Sequence, residues 1–171
     1  MHSMKKVIVL VGPKGAGKTT IGCFLAAKLG IDFVCVEPLF LEARARLGAS
    51  HPDLERKGFE SALARLSDAL TRSKVVCFDS TGASAHFPWL LSELGKLARV
   101  VLVRVLADPA QCIERIHKRD ASLHIPLADD AIDRIKAVAE RVELPWDAEI
   151  DNRGEFNGGD IRRVFGEFRG R

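Results

Sequence analysis

Short runs rich in β-branched residues recur along the chain, separated by longer stretches whose apolar positions follow a helical period. The runs are KVIVLV at 6–11, FVCV at 33–36, KVVCF at 74–78, RVVLVRVL at 99–106 and AEID at 148–151. Consecutive rather than alternating apolar residues suit a strand buried on both faces, and parallel sheets are built from such strands. Helical patterns lie at 18–29, 53–72, 86–97, 109–119, 129–142 and 160–169. In the second of these Phe59, Leu63, Leu66 and Leu70 share one face, the spacing of a helix packed on a core. Asp108 before Pro109, and Asp160, supply what a helix start needs: an oxygen for unpaired backbone N–H groups and, in proline, a preset φ. Strand and helix in alternation predict an α/β fold, a doubly wound five-stranded parallel sheet with helices on both faces. Ligands of such sheets bind at the carboxyl ends of the strands.

Composition narrows the partners. A chain of 171 residues without linkers, repeats or low-complexity segments is expected to form one domain over 1–171, large enough to bury a core without disulfides. Net charge is only +3 with 29% charged residues, which is not the footprint of a dedicated nucleic-acid binder, so the basic groups are expected to meet small anions. No apolar run approaches the ~20 residues of a membrane span. Cys23, Cys35, Cys77 and Cys112 stand singly in apolar stretches, without the paired spacing of a zinc site or a secretory leader ahead of them. They are expected to be reduced, mostly buried thiols of a cytoplasmic protein, a monomer or weak homodimer.

The first apolar run leads directly into LVGPKGAGKTTIG at 10–22. Gly12, Gly17, Lys18 and Thr19 satisfy GxxxxGK[ST] between a strand and a helix, the context that makes this pattern a P-loop. Its glycines let backbone N–H groups converge with the helix N-terminus on phosphate oxygens. The candidate nucleotide site is therefore Gly12, Pro13, Lys14, Gly15, Ala16, Gly17, Lys18, Thr19 and Thr20, with Lys18 reaching the β and γ phosphates of ATP and the Thr19 hydroxyl ligating Mg²⁺.

Two carboxylates stand at strand ends. KVVCFDSTG brings an acid, Asp79, to the end of the third strand, where a Walker B carboxylate holds Mg²⁺ or orients the nucleophile. Ser80, Thr81 and Gly82 then fall in a loop open to a substrate. CVEPLF ends the second strand in Glu37, with Pro38 stopping it, and an acid there would face an acceptor and either take the proton of its hydroxyl or fix that hydroxyl in place. In the helical segment of about 37–72 that follows, Arg44 and Arg56 are candidates to bind an acidic acceptor.

The segment ERIHKRDASLHIPLADDAIDRI at 114–135 carries Arg115 and Arg119 four apart, thus on one helix face, and returns with Arg134. A basic segment of this kind, about 115–130, is expected to close as a lid over phosphates, with Arg119 supplying charge to the transferring group and Arg115 binding nucleotide.

Together the P-loop, the following GKTTIGCFLAAKLGIDF, the basic segment and the closing AEIDNRGEFNGGDIRRVF resemble the small P-loop kinases, which include shikimate kinase, gluconate kinase and the nucleoside monophosphate kinases. The resemblance spans nearly the whole chain. It implies strand order 2-3-1-4-5, ATP and Mg²⁺ as cofactors, a small-molecule acceptor, and an adenine-side loop containing Asn152, Arg153 and Gly154. Shikimate kinases end strand two in F-x-D-x-D, whereas this chain reads Phe33, Val34, Cys35, Val36, Glu37; their glycine triplet after strand three becomes STGAS; and Glu60 stands where their G-F-R stretch has arginine. These departures fall on the acceptor side and spare the ATP side. The expected function is a shikimate kinase-like ATP-dependent phosphotransferase, with a nucleoside or nucleotide kinase, or an NTP-binding regulatory module, as alternatives.

Overall fold

The computed structural model describes residues 4–119 and 129–169. Strands β1 (Lys6–Val11), β2 (Asp32–Val34), β3 (Val75–Ser80), β4 (Arg99–Leu106) and β5 (Ala148–Asp151) form one sheet in the order β2-β3-β1-β4-β5, every pairing parallel. Helices α1 (Lys18–Leu29), α2 (Glu37–Leu47), α3 (Leu54–Arg72), α4 (Phe87–Leu97), α5 (Pro109–His117), α6 (Asp129–Glu140) and α7 (Gly158–Arg169) connect and cover it.

β1 is buried along its whole length because each of its faces feeds a separate core. Val7, Val9 and Val11 pack with Val76 and Phe78 against Phe59, Leu66 and Leu70 of α3 and Leu90 and Leu94 of α4. Ile8 and Leu10 pack with Cys77, Val101 and Val103 against Ile21 and Leu25 of α1 and Ile161 and Phe165 of α7. The period of two along a strand makes this double use possible, so the run of consecutive apolar residues is explained by helices on both sides. Truncating a side chain such as Leu25 or Leu66 to alanine in these layers costs about 2–5 kcal/mol.

The same alternation places the chemistry. Cys77 and Asp79 share the α1 face of β3, and β3 pairs with β1 so that Leu10 lies opposite Asp79. The Gly12 N–H donates to the Ser80 carbonyl at 3.2 Å, tying the start of the P-loop to the end of β3.

Several boundaries differ from expectation. β2 stops at Val34, and Glu37 is the first residue of α2 rather than a strand tip, because Pro38 suits the first turn of a helix, where its missing N–H has no partner to lose. β3 runs on through Ser80, so Asp79 lies inside the strand. α5 ends at His117, two residues short of the expected limit. Cys77 and Cys112 are buried, but Cys23 is exposed and Cys35 only half-buried, since Cys23 lies on the solvent side of α1. Among the described residues no helix is long and apolar enough to cross a membrane.

Candidate active site

The loop between β1 and α1 is shaped by two residues in the left-handed region, Gly15 at φ 84° and Gly17 at φ 89°, a conformation that costs a side-chain-bearing residue about 1 kcal/mol or more. Space enforces the same choice: a Cβ on Gly15 would come within 2.5 Å of the Cys112 carbonyl oxygen, and one on Gly17 within 2.5 Å of Asn152 Nδ2. The loop is held from behind. Asn152 is buried and donates from Nδ2 to the Ala16 carbonyl at 2.7 Å, and Arg115 donates from Nη1 to the Gly15 carbonyl at 3.2 Å.

Lys18 turns its buried ammonium into the loop, donating to the carbonyls of Gly12 at 2.8 Å and Pro13 at 2.9 Å. Burial lowers its pKa to about 8, opposed mainly by the negative charge of Asp79. Thr19 donates from Oγ1 to Asp79 Oδ2 at 3.1 Å. The other carboxylate oxygen, Asp79 Oδ1, is shielded from solvent and has no hydrogen-bond partner, and burial raises the Asp79 pKa against the pull of Lys18. A buried anionic oxygen without a partner is costly. A hydroxyl and a carboxylate side by side are hard oxygen donors, so these residues fit Mg²⁺, which takes few protein oxygens and completes its shell with phosphate and water. Among the described residues no group of three or more His, Cys, Asp or Glu side chains could hold a metal by itself.

From the P-loop a cavity of about 540 Å³ extends toward α2 and α3. Lys14, Lys18, Thr19 and Arg119 line its P-loop end, and Glu37, Phe40, His51, Glu55, Phe59 and Ser84 its far end. Glu37 also meets Lys14 across 3.3 Å, which ties the start of α2 to the P-loop. Gly58 gives the far wall its form: its missing side chain admits the Phe40 ring, whose carbons lie 2.5 Å from where a Cβ would be.

A second cavity, also about 540 Å³, lies between α5 and the loop after β5, lined by Gln111, Arg115, Lys118, Gly154 and Phe156 among others. Phe156 is an exposed aromatic in an otherwise polar, glycine-rich loop, set edge-on to Phe24 at 5.5 Å. Asn152 faces inward to the P-loop instead of lining this cavity, and Arg153 faces outward, paired with Asp151 at 2.6 Å.

The structure thus brings Lys14, Gly15, Gly17, Lys18, Thr19, Glu37, Asp79 and Arg119 to one cavity. Thr20 is exposed outside it. Arg44 and Arg56 do not line the cavity; Arg56 is exposed and paired with Glu60 at 3.0 Å. Arg134 is exposed and paired with Asp130 at 2.8 Å. Gly82 sits at φ 73° behind the lining residues Thr81 and Ala83, against Val11. Of the expected lid, residues 120–128 lie outside the described residues. Phe40, Phe59, His51, Glu55 and Phe156 line the two cavities without having been expected there. Only Phe156 carried a readable signal, a lone aromatic in the polar stretch NRGEFNGG.

Comparison with known proteins agrees with this geometry. The family model AAA_33, an AAA domain, matches residues 7–142. The chain is 30% identical to a shikimate kinase from Halorhodospira halophila over 161 residues, covering 92% of this chain and 88% of that one. Among solved structures, a shikimate kinase from Bacteroides thetaiotaomicron superimposes with TM-score 0.65 at 18% identity over 97% of this chain and 99% of that one. A gluconokinase from Sinorhizobium meliloti 1021 does so with TM-score 0.60 at 15% identity over 99% and 100%.

Proposed function

From the premise that this chain belongs to the small P-loop kinases, we propose that it transfers the γ-phosphoryl group of ATP to a hydroxyl of a small acceptor, with Mg²⁺. The observation that carries the reading is the meeting of Lys18, Thr19 and the partnerless Asp79 Oδ1 at one end of a cavity whose other end begins at Glu37.

Each residue's part follows from its surroundings. Backbone N–H groups of 15–19 and the start of α1 offer donors and a positive dipole end to phosphate oxygens. The Lys18 ammonium, held in place by two carbonyls, needs little reorganisation to meet charge developing on the γ-phosphoryl. Thr19 Oγ1 and Asp79 would hold Mg²⁺, which when bound neutralises β and γ oxygens. Arg119 adds charge from the end of α5, and Glu37 stands where an acceptor hydroxyl would give up its proton. In the transfer, the acceptor oxygen bonds to the γ phosphorus while the bond from phosphorus to the bridging oxygen breaks. The hydroxyl proton goes to Glu37, and ADP leaves with the electron pair of the broken bond. Positioning and charge neutralisation supply most of the acceleration. The adenine would lie in the cavity of Gln111, Arg115 and Phe156, where an aromatic edge and a guanidinium provide stacking surfaces.

The test is a screen of small hydroxyl compounds for ADP release, with products identified by mass spectrometry. One or more acceptors gaining about 80 Da, the mass of one transferred phosphoryl group, in a Mg²⁺-dependent reaction is expected. ATP turnover independent of every acceptor would instead favour an NTP-binding module.

A further inference from the structure

The far half of the main cavity is walled mainly by carbon. Phe40 and Phe59 meet edge to face, their centroids 5.2 Å apart and their planes at 89°, and Val36, Leu54, Phe78 and Leu90 continue the surface. Ring-shaped apolar bodies fit such a wall. Of the carboxylates here, Glu37 is ion-paired with Lys14 where this half borders the P-loop, and Glu55 lines the wall beside the imidazole of His51.

Among the described residues, the lysines and arginines that line the cavity stand at its P-loop end. They are Lys14 and Lys18 of the P-loop and Arg119 after α5, and Lys14 already meets Glu37. The basic residues of α2 and α3 turn elsewhere. Arg46 pairs with Glu42; Arg56 and Lys57 both pair with Glu60, at 3.0 and 2.7 Å; Arg44 does not line the cavity. The segment 120–128, DASLHIPLA, contains no lysine or arginine and can add neither to the site. A carboxylate or phosphate on the acceptor would thus enter an apolar space lined by Glu55, with no guanidinium among the described residues to receive it. Burial of an unpaired anion beside like charges is strongly unfavourable.

We propose that the acceptor is an alcohol with an apolar, ring-sized body and no anionic group, and that a protonated amine on that body is favoured by Glu55. This rests on the kinase reading above and gives it a substrate class. Glu55 is exposed at the first turn of α3, where its carboxylate is also favoured by the helix dipole and stays available to a cation at the cavity mouth.

Four probes separate the possibilities: phenylalaninol as cation, 3-phenylpropanol as neutral body, and 3-phenyllactate and shikimate as anions. Each is added to the full chain with Mg²⁺ and a non-hydrolysable ATP analogue, and the melting temperature is followed. Phosphorylated product is then sought with ATP. Phenylalaninol and 3-phenylpropanol are expected to stabilise the nucleotide-bound protein beyond the analogue alone, with apparent affinities about tenfold or more above those of the anions, as one uncompensated charge predicts. Glu55→Arg should shift the ranking toward 3-phenyllactate. Anions that bind as well as or better than the others, or four probes with indistinguishable effects, absent effects included, overturn the proposal. Failure of the kinase reading has its own mark: no Mg²⁺-dependent stabilisation by the ATP analogue alone, which removes this proposal as well. Intact nucleotide binding with a reversed ranking removes the substrate class and leaves the kinase reading standing.

Discussion

The Thr19 hydroxyl and the Asp79 carboxylate, 60 residues apart in sequence, are joined by a hydrogen bond of 3.1 Å. One belongs to the first turn of α1 and the other to β3, so the bond closes the P-loop against the neighbouring strand. Only the parallel register of β1 and β3, with Leu10 opposite Asp79, brings these two oxygens together. The arrangement leaves Asp79 with one satisfied and one partnerless oxygen, a polarity that a metal ion would resolve.

Asp79→Asn is therefore expected to weaken Mg²⁺-dependent ATP binding by about 10–100-fold, the range for loss of a group that supports a metal. Glu37→Gln, on the acceptor side, should leave Mg·ATP binding intact and slow transfer by about 10²-fold or more, as for removal of a general base. Calorimetric titration of Mg·ATP into both variants distinguishes the two carboxylates. Normal binding in Asp79→Asn with loss in Glu37→Gln would reverse their assignments.

The buried Lys18 makes the stability of the nucleotide-free protein depend on alkaline pH. Burial lowers its pKa to about 8 from 10.5, so between those values the unfolded chain binds more protons than the folded one, and stability rises with pH. The cost of burying the ammonium is fully present below about pH 8 and fades as pH climbs toward 10.5. Lys18→Met, which is expected to abolish transfer as well, should be more stable than the wild type at pH 7. The gap should shrink by up to about 3 kcal/mol across that alkaline window. Urea unfolding at pH 7, 9 and 10.5 measures it; a gap that is constant or widens with pH would show that the ammonium is not desolvated.

The bounds of β1 and α1 were fully legible, because β-branched runs and the glycine-lysine punctuation between them act locally. Sheet order followed from the family resemblance. Less legible was the region of Val36, Glu37 and Pro38, where proline ends a strand and begins a helix with equal ease. The direction of the arginines was partly readable: Glu42 and Glu60 stand four residues from Arg46 and Arg56, the spacing at which a helix satisfies such charges on its own surface. Phe40 and Phe59 were not readable as cavity walls. An apolar residue that lines a cavity and one that fills a core obey the same periodicity, and only the packing of α2 on α3 separates them.

Arg119 lines the cavity at its P-loop end, just past α5. Arg119→Ala should lower kcat by about 10²-fold, the scale of one lost donor to developing charge, while leaving the KM for ATP nearly unchanged. Steady-state kinetics with any acceptor that supports turnover gives both constants. A rise in KM at constant kcat would mean that the guanidinium serves ground-state binding alone.

Gly58 is the least conspicuous residue that shapes the far wall of the cavity. It lies within α3, where alanine would ordinarily improve helix stability by about 1 kcal/mol, yet a Cβ there would stand 2.5 Å from both Cδ1 and Cε1 of Phe40. The ring cannot yield by bending a flexible end, since three of its carbons are within 2.8 Å, and Phe59 braces its other contacts edge-on. Overpacking of this kind costs about 1–3 kcal/mol, so Gly58→Ala should be neutral to destabilising by about 2 kcal/mol despite the better propensity. It should also push Phe40 toward the acceptor and raise the acceptor KM several-fold, with nucleotide affinity unchanged. Phe40→Leu removes the clash, so in Gly58→Ala/Phe40→Leu the two changes should couple favourably by about 1 kcal/mol or more in a double-mutant cycle of unfolding free energies. Strict additivity would place the Phe40 ring elsewhere than against α3 and remove it from the wall of the site.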